Sequence, residues 1–251
     1  MKKYLNKIIQ GDCLEVMKDI PENYIDLTIT SPPYDNLRDY KGYTFDFKGI
    51  AKQLFRITKQ GGVVVWVVGD ATIKGSETGT SFKQALYFKK IGFNLHDTMI
   101  YQKQNPVPYH HNRYNPQFEF MFILSKGTPK TFNPIQEPTK GFKTGKYRYP
   151  DGSLKKANTP IIKKTKMLNN IWFYVVGGKS NFKHPATFPI KLVKDHILSW
   201  SNEGDTILDP MCGSGTTCKM AMLNKRNFIG IEISKEYCEI AEQRLRQKTL
   251  I

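Results

Sequence analysis

At 251 residues and a formal charge of +16, the chain is long enough to bury a core without disulfide or metal staples, and its cation excess favours a polyanionic partner. Cys13, Cys212, Cys218 and Cys238 form no Cys-x-x-Cys pair and the five histidines fall in no ligand spacing, which argues against a metal site and for a reduced, cytoplasmic setting. No apolar h-region follows residues 1–7 and no apolar run approaches the roughly 18 residues that span a bilayer, so secretion and membrane insertion are not expected.

In chain order, residues 8–12 read as a short strand ending in a turn, 13–20 as one or two helical turns, and 25–30 as a strand running into Ser31. Residues 47–58 carry Ile50, Leu54 and Phe55 at helical spacing, Gly61-Gly62 closes that helix, and the run 63–68 is a buried strand. A helix over 81–91 precedes two strands, 98–102 and 118–124, the second expected to be antiparallel. After the middle of the chain come a helix over 189–200, a strand at 206–208, a helix over 216–224, a strand at 228–232 and a final helix over 235–246. Such alternation predicts an α/β fold with a doubly wound, mainly parallel sheet and one antiparallel strand.

Between Ser125 and Lys183 the composition changes. Pro129, Pro134, Pro138, Pro150 and Pro160 interrupt any long helix, and lysines become dense. Residues 125–182 are therefore read as an insertion dividing one domain into 1–124 and 183–251. Lys140, Lys143, Lys146, Arg148, Lys155, Lys156, Lys163 and Lys164, interleaved with aromatics, suit phosphate contacts. The same stretch reads equally as a solvated linker.

Two segments carry chemistry. The first is Ser31-Pro32-Pro33-Tyr34 at the end of a strand, where ligands of open α/β sheets gather. The segment resembles the catalytic signature of DNA amino-methyltransferases, whose substrate, an exocyclic base amine, is a poor nucleophile because its lone pair is delocalised into the ring. Acceptors beside both N–H bonds favour a pyramidal nitrogen; Ser31 offers a hydroxyl, the proline pair fixes the backbone with two fewer N–H groups, and Tyr34 offers a stacking face for an extruded base. The second segment is Asp209-Pro210-Met211-Cys212-Gly213-Ser214-Gly215-Thr216. Its Gly213 and Gly215 permit a sharp turn and close approach to a ligand at a helix start, and no Gly-Lys-Ser/Thr follows, so it is not a nucleotide triphosphate loop. Glu232 ends the next strand, where an acid can accept both hydroxyls of a ribose. Asp12 stands at another strand end and by position reads as a helix N-cap.

These two segments resemble the catalytic and cofactor motifs of DNA amino-methyltransferases, and their order, catalytic motif first with a basic stretch between, resembles the β-class of that family. The resemblance spans about residues 8–124 and 183–246. It implies a Rossmann-like S-adenosylmethionine-dependent methyltransferase, with Ser31, Pro32, Pro33 and Tyr34 catalytic and Asp12, Asp209, Pro210, Met211, Gly213, Gly215, Thr216 and Glu232 at the cofactor. His184, Pro185 and Phe188 match a segment that lines the methionine side of that pocket. A serine in first position leans toward cytosine N4, with adenine N6 the alternative; methylation at cytosine C5 would need a cysteine nucleophile in a Pro-Cys segment. The resemblance makes double-stranded DNA the partner and allows a cognate restriction endonuclease and a homodimer.

Overall fold

The computed structural model describes residues 3–33, 45–106, 112–143, 146–149, 151–156, 162–175 and 188–247. Its elements are β1 (Lys7–Gln10), α1 (Cys13–Lys18), β2 (Ile25–Thr30), α2 (Phe47–Ile57), β3 (Thr58–Val68), the short pair β4 (Thr72–Ile73) and β5 (Ser76–Glu77), α3 (Thr80–Lys90), β6 (Asn94–Lys103) and β7 (Phe118–Ser125). There follow β8 (Gln136–Lys143), β9 (Lys146–Arg148), β10 (Leu154–Lys156), β11 (Ile162–Met167), β12 (Ile171–Tyr174), α4 (Ile190–Trp200), β13 (Thr206–Asp209), α5 (Thr216–Leu223), β14 (Asn227–Glu232) and α6 (Lys235–Arg246).

The chain divides into two units, Met1–Asn133 with Asn170–Ile251, and Pro134–Asn169. The larger holds an eight-stranded sheet in the order β1-β14-β13-β2-β3-β7-β6-β12. Every pairing is parallel except those of β7 with β3 and β6, so β7 is the antiparallel strand expected over 118–124. Helix α2 touches α1 and α3, and α5 touches α4 and α6, two helical groups suited to cover opposite faces of such a sheet.

β3 shows why its sequence is apolar without alternation. Val64, Trp66 and Val68 pack with Ile50, Leu54 and Phe88 in one core cluster. The intervening Val63, Val65 and Val67 point to the other face and are also buried, as a strand covered on both sides requires. The Trp66 indole N–H donates to Gln84 Oε1 at 2.8 Å, so the largest fully buried ring leaves no unpaired donor.

Two expectations are corrected. Gly61-Gly62 does not end α2: the strand already begins at Thr58, and the glycines sit at the irregularity in its pairing with β2. A Cβ at Gly62 would meet the carbonyl oxygens of Lys59 and Asp26 at 2.9 and 3.0 Å, so close backbone approach explains the glycine there. Ile171–Tyr174, read as part of the insertion, instead forms the edge strand β12 beside β6. Trp172 and Tyr174 are buried, Tyr174 donating to Asp195 Oδ2 at 2.8 Å and Trp172 lying against His196.

The smaller unit is built from two antiparallel pairs, β8 with β11 and β9 with β10. Its bounds are narrower than 125–182, since 125–133 and 170–174 belong to the larger unit.

Candidate active site

From β2 the chain winds outward through β3; from β13 it winds the opposite way to β14. β2 and β13 are neighbours, so the reversal falls between their carboxyl ends, the place where ligands of open α/β sheets bind. The two motifs leave the sheet there. Thr30, last residue of β2, donates from its hydroxyl to Asp209 Oδ1, last residue of β13, at 2.9 Å. The same oxygen accepts from the Met211 N–H at 3.2 Å. Asp209 is 2 % exposed, and burial pushes its carboxyl up to about 6 against the opposing pull of these hydrogen bonds. Pro32 is buried, with Ser31 and Pro33 half-buried; Tyr34 lies outside the described residues.

The glycine loop is held from β14 and from α6. Gly213, at φ +50°, donates its N–H to Glu232 Oε2 at 2.9 Å, and Ser234 N–H donates to Oε1 at 2.8 Å. Burial raises the Glu232 carboxyl above its ordinary value while these backbone donors oppose the rise. Each carboxylate oxygen retains acceptor capacity. Gly215, at φ +75°, precedes α5, and a Cβ there would meet Ala241 Cβ of α6 at 2.8 Å. Its glycine therefore answers a helix contact as well as a left-handed turn. At the neighbouring strand end, Gln10 is in register with Glu232 and Gly11 N–H donates to the Glu232 carbonyl at 2.9 Å. Asp12 caps α1 through Oδ1, which accepts from Leu14 N–H at 2.8 Å, and its side chain is exposed. Capping one oxygen leaves the other to accept from a ligand, so the two readings of Asp12 are compatible.

Arg244 is a residue the motifs did not reveal. From α6 its Nη1 donates to the Ser214 carbonyl at 2.7 Å, Ser214 Oγ at 2.6 Å and Thr216 Oγ1 at 3.1 Å. A faint signal existed: Cys238, Ala241 and Arg244 recur every three residues on the buried face of α6, where an arginine must find acceptors. Contact with Cys218 and burial hold the Cys212 thiol well above its ordinary range, which suits packing and not nucleophilic attack.

Phe188 is half-buried just before α4; His184 and Pro185 lie outside the described residues. In the smaller unit Lys140, Lys146, Arg148, Lys155, Lys156 and Lys164 are exposed, while the side chains of Lys143 and Lys163 are outside the description. Lys146 stands directly opposite Lys156 across β9 and β10, and Lys155 Nζ lies 4.6 Å from the centre of the Tyr149 ring. Among the described residues no group of three or more His, Cys, Asp or Glu could hold a metal ion, and no helix is long and apolar enough to cross a membrane.

Asp12 follows β1 and Glu232 ends the neighbouring β14, with the Glu232 carboxylate bonded to the glycine turn. A family model described as N6/N4 DNA methylase matches residues 25–243. The chain is 53 % identical over 247 residues to the orphan methyltransferase M.BamHII of Bacillus amyloliquefaciens, covering 93 % of each. It is 28 % identical to the type II methyltransferase M.HinfI of Haemophilus influenzae, over 97 % of this chain and 69 % of that one. Among solved structures, the M1.HpyAVI complex with S-adenosylmethionine superposes with a TM-score of 0.68 at 26 % identity, over 96 % of this chain and 99 % of that one. The PvuII cytosine-N4-specific DNA methyltransferase shares the fold at a TM-score of 0.72 and 22 % identity, over 97 % and 87 %. With two motif loops meeting at one switch point and these relatives, the chain belongs to the N6/N4 DNA methylase family as a β-class, S-adenosylmethionine-dependent DNA methyltransferase.

Proposed function

We propose that the enzyme methylates the exocyclic N4 amine of cytosine in DNA. The observation that carries the reading is the exit of Ser31 from β2 beside the glycine loop, joined to it by the Thr30–Asp209 bond. Serine in place of aspartate as the first residue of the motif supports cytosine over adenine. S-adenosylmethionine, when bound, supplies an electrophilic sulfonium methyl group. On the acceptor side, the Ser31 hydroxyl and the carbonyls of the proline loop accept from the two N–H bonds of the amine and turn its lone pair toward the methyl. Pro32 and Pro33 hold those carbonyls with little reorganisation, and Tyr34 stacks on the extruded base.

For the cofactor, Glu232 accepts from the ribose hydroxyls and the free oxygen of Asp12 from the adenine amine. Pro210, Met211, Gly213, Gly215 and Thr216 shape the turn around it, with Asp209 acting beneath them, and His184, Pro185 and Phe188 line the methionine end. Residues 1–124 and 183–251 hold the catalytic and cofactor halves, and within 125–182 the smaller unit Pro134–Asn169 grips DNA. The pairing of Lys146 opposite Lys156 supports this last role: like charges directly across a strand pair repel in the free protein and gain from a phosphate near both. The name of the M.BamHII relative, an orphan enzyme, favours action without a partner nuclease.

Incubation with methyl-labelled cofactor and duplex DNA, followed by nucleoside hydrolysis, is expected to yield N4-methylcytosine. Label found in N6-methyladenine would transfer the assignment to adenine.

A further inference from the structure

Each loop of the site is tied firmly to its own part of the sheet. β2 stays in register with β3 as far as Thr30, opposite Trp66, and β13 with β14 as far as Asp209, opposite Gly230. Between β2 and β13, by contrast, the register covers only Leu27 with Ile207 and Thr28 with Leu208. The ladder stops short of the ends that carry the two loops, so no strand pairing links those ends. In its place stands the bond from the Thr30 hydroxyl to Asp209 Oδ1.

We propose that Thr30 is a positioning residue for methyl transfer, its buried hydroxyl setting the spacing between the Ser31–Pro33 loop and the glycine loop. The proposal rests on the reading of Ser31 as the amine-facing residue. Thr30 immediately precedes Ser31, and Asp209 Oδ1 reaches forward to the Met211 N–H as well, so one oxygen touches the first turn of both loops. Thr30 and Asp209 are 0 % and 2 % exposed, and a hydrogen bond to a carboxylate in so dry a place is strong and directional. Thr28 provides an internal contrast. It lies on the same face of β2, equally buried, yet its hydroxyl has no partner. Strand propensity therefore accounts for a threonine at 28, while at 30 the hydroxyl is bonded to the end of β13.

The test compares Thr30→Val, Thr30→Ser, Thr28→Val and Ser31→Ala in the full-length protein. Cofactor affinity is measured by calorimetry, stability by thermal unfolding, and methyl transfer in single turnovers with cofactor and duplex DNA saturating. Thr30→Val is expected to bind S-adenosylmethionine within about threefold of the parent and to transfer methyl about 10- to 100-fold more slowly, the signature of lost alignment. Thr30→Ser restores the hydroxyl and the rate, and Thr28→Val keeps both. Transfer by Thr30→Val at the parental rate, or Thr30→Ser as slow as Thr30→Val, overturns the proposal. Should the valine variant not fold, Thr30→Ala removes the same hydroxyl without adding an apolar branch, and the same two outcomes decide. Ser31→Ala separates the two claims. If it transfers methyl at the parental rate, the active-site reading itself fails; if it is slow while Thr30→Val is not, only the positioning role fails.

Discussion

The switch point between β2 and β13 and the lysine-rich unit Pro134–Asn169 are built on opposite principles. At the switch point Thr30, Asp209, Ser214, Thr216, Glu232 and Arg244 are all buried polar groups, and each has a protein hydrogen-bond partner. In the smaller unit the pairs are two-stranded, an arrangement of marginal stability by itself, and β10 is exposed throughout. A site that must align two reactants demands groups that cannot move. A surface proposed to meet phosphates needs charge more than it needs fixed geometry.

The sharpest way to break this contrast is to add one methyl group to a left-handed glycine in each region. Gly215→Ala is expected to cost roughly 2–5 kcal/mol, combining backbone strain with the clash against Ala241. Gly152→Ala has the same kind of φ, +83°, but nothing within 4 Å of the new Cβ, and should cost about 1 kcal/mol. Urea unfolding of the first and hydrogen exchange across residues 146–156 of the second measure the two; equal costs would erase the distinction. Because Ala241 is the obstacle, weakened cofactor binding in a Gly215 variant reports on α6 packing as much as on the ligand.

Next in size, Glu232→Gln should weaken S-adenosylmethionine binding by about 1.5–3 kcal/mol, since it removes charge-assisted acceptors for the ribose hydroxyls. Calorimetry on the folded variant checks this, and unchanged affinity would leave Glu232 as a support for Gly213 and Ser234 alone.

A pH experiment probes the same region. The Asp209 carboxyl is raised in the folded protein to about 6, so the native state binds its proton more tightly than the unfolded chain does. Its contribution to stability is full below the unfolded value near 4 and is lost as pH rises through about 6. Unfolding free energy measured against Asp209→Asn should therefore fall by roughly 1–3 kcal/mol between pH 4 and pH 8. A flat difference would mean that Asp209 is ionised at little cost.

The smallest effect belongs to the basic unit. Replacing Lys155 and Lys156 together by glutamine should leave thermal stability within about 1 kcal/mol of the parent. If both contact phosphates, the log–log salt dependence of DNA affinity should flatten by about 1.8, with similar losses on specific and random duplexes. An unchanged slope would remove this pair from the DNA interface.

Much of the large unit was legible because its signals are local. β2 and β14 are short runs rich in Ile, Leu, Thr and Phe that end at Ser-Pro-Pro and at an acidic residue, and strand propensity followed by turn chemistry identifies such runs without neighbours. The antiparallel character of β7 followed from its place after a strand and a polar connection. β12 was hidden by its setting: four residues within a basic, proline-interrupted stretch carry little periodicity, and what makes them a strand is the free edge of β6 together with Asp195 and His196 of α4. Gly61-Gly62 misled for a related reason, because a glycine pair that ends a helix and one that lets a strand pass close to its neighbour look alike until the neighbour is known.

The candidate motif residues were legible in the sequence alone, since a turn into an active loop needs particular residues at particular spacings whatever surrounds it. Ser31-Pro32-Pro33-Tyr34, Gly213, Gly215, Asp12 and Glu232 are of this kind, and so is the cation excess that points to a polyanion. Only the tertiary structure decided how the loops are joined. Thr30 and Asp209 are 179 positions apart and Arg244 is 30 from Ser214. No local pattern announces such pairs, because what makes their polar groups necessary is exclusion from water, and that arises when the sheet and helices close around them.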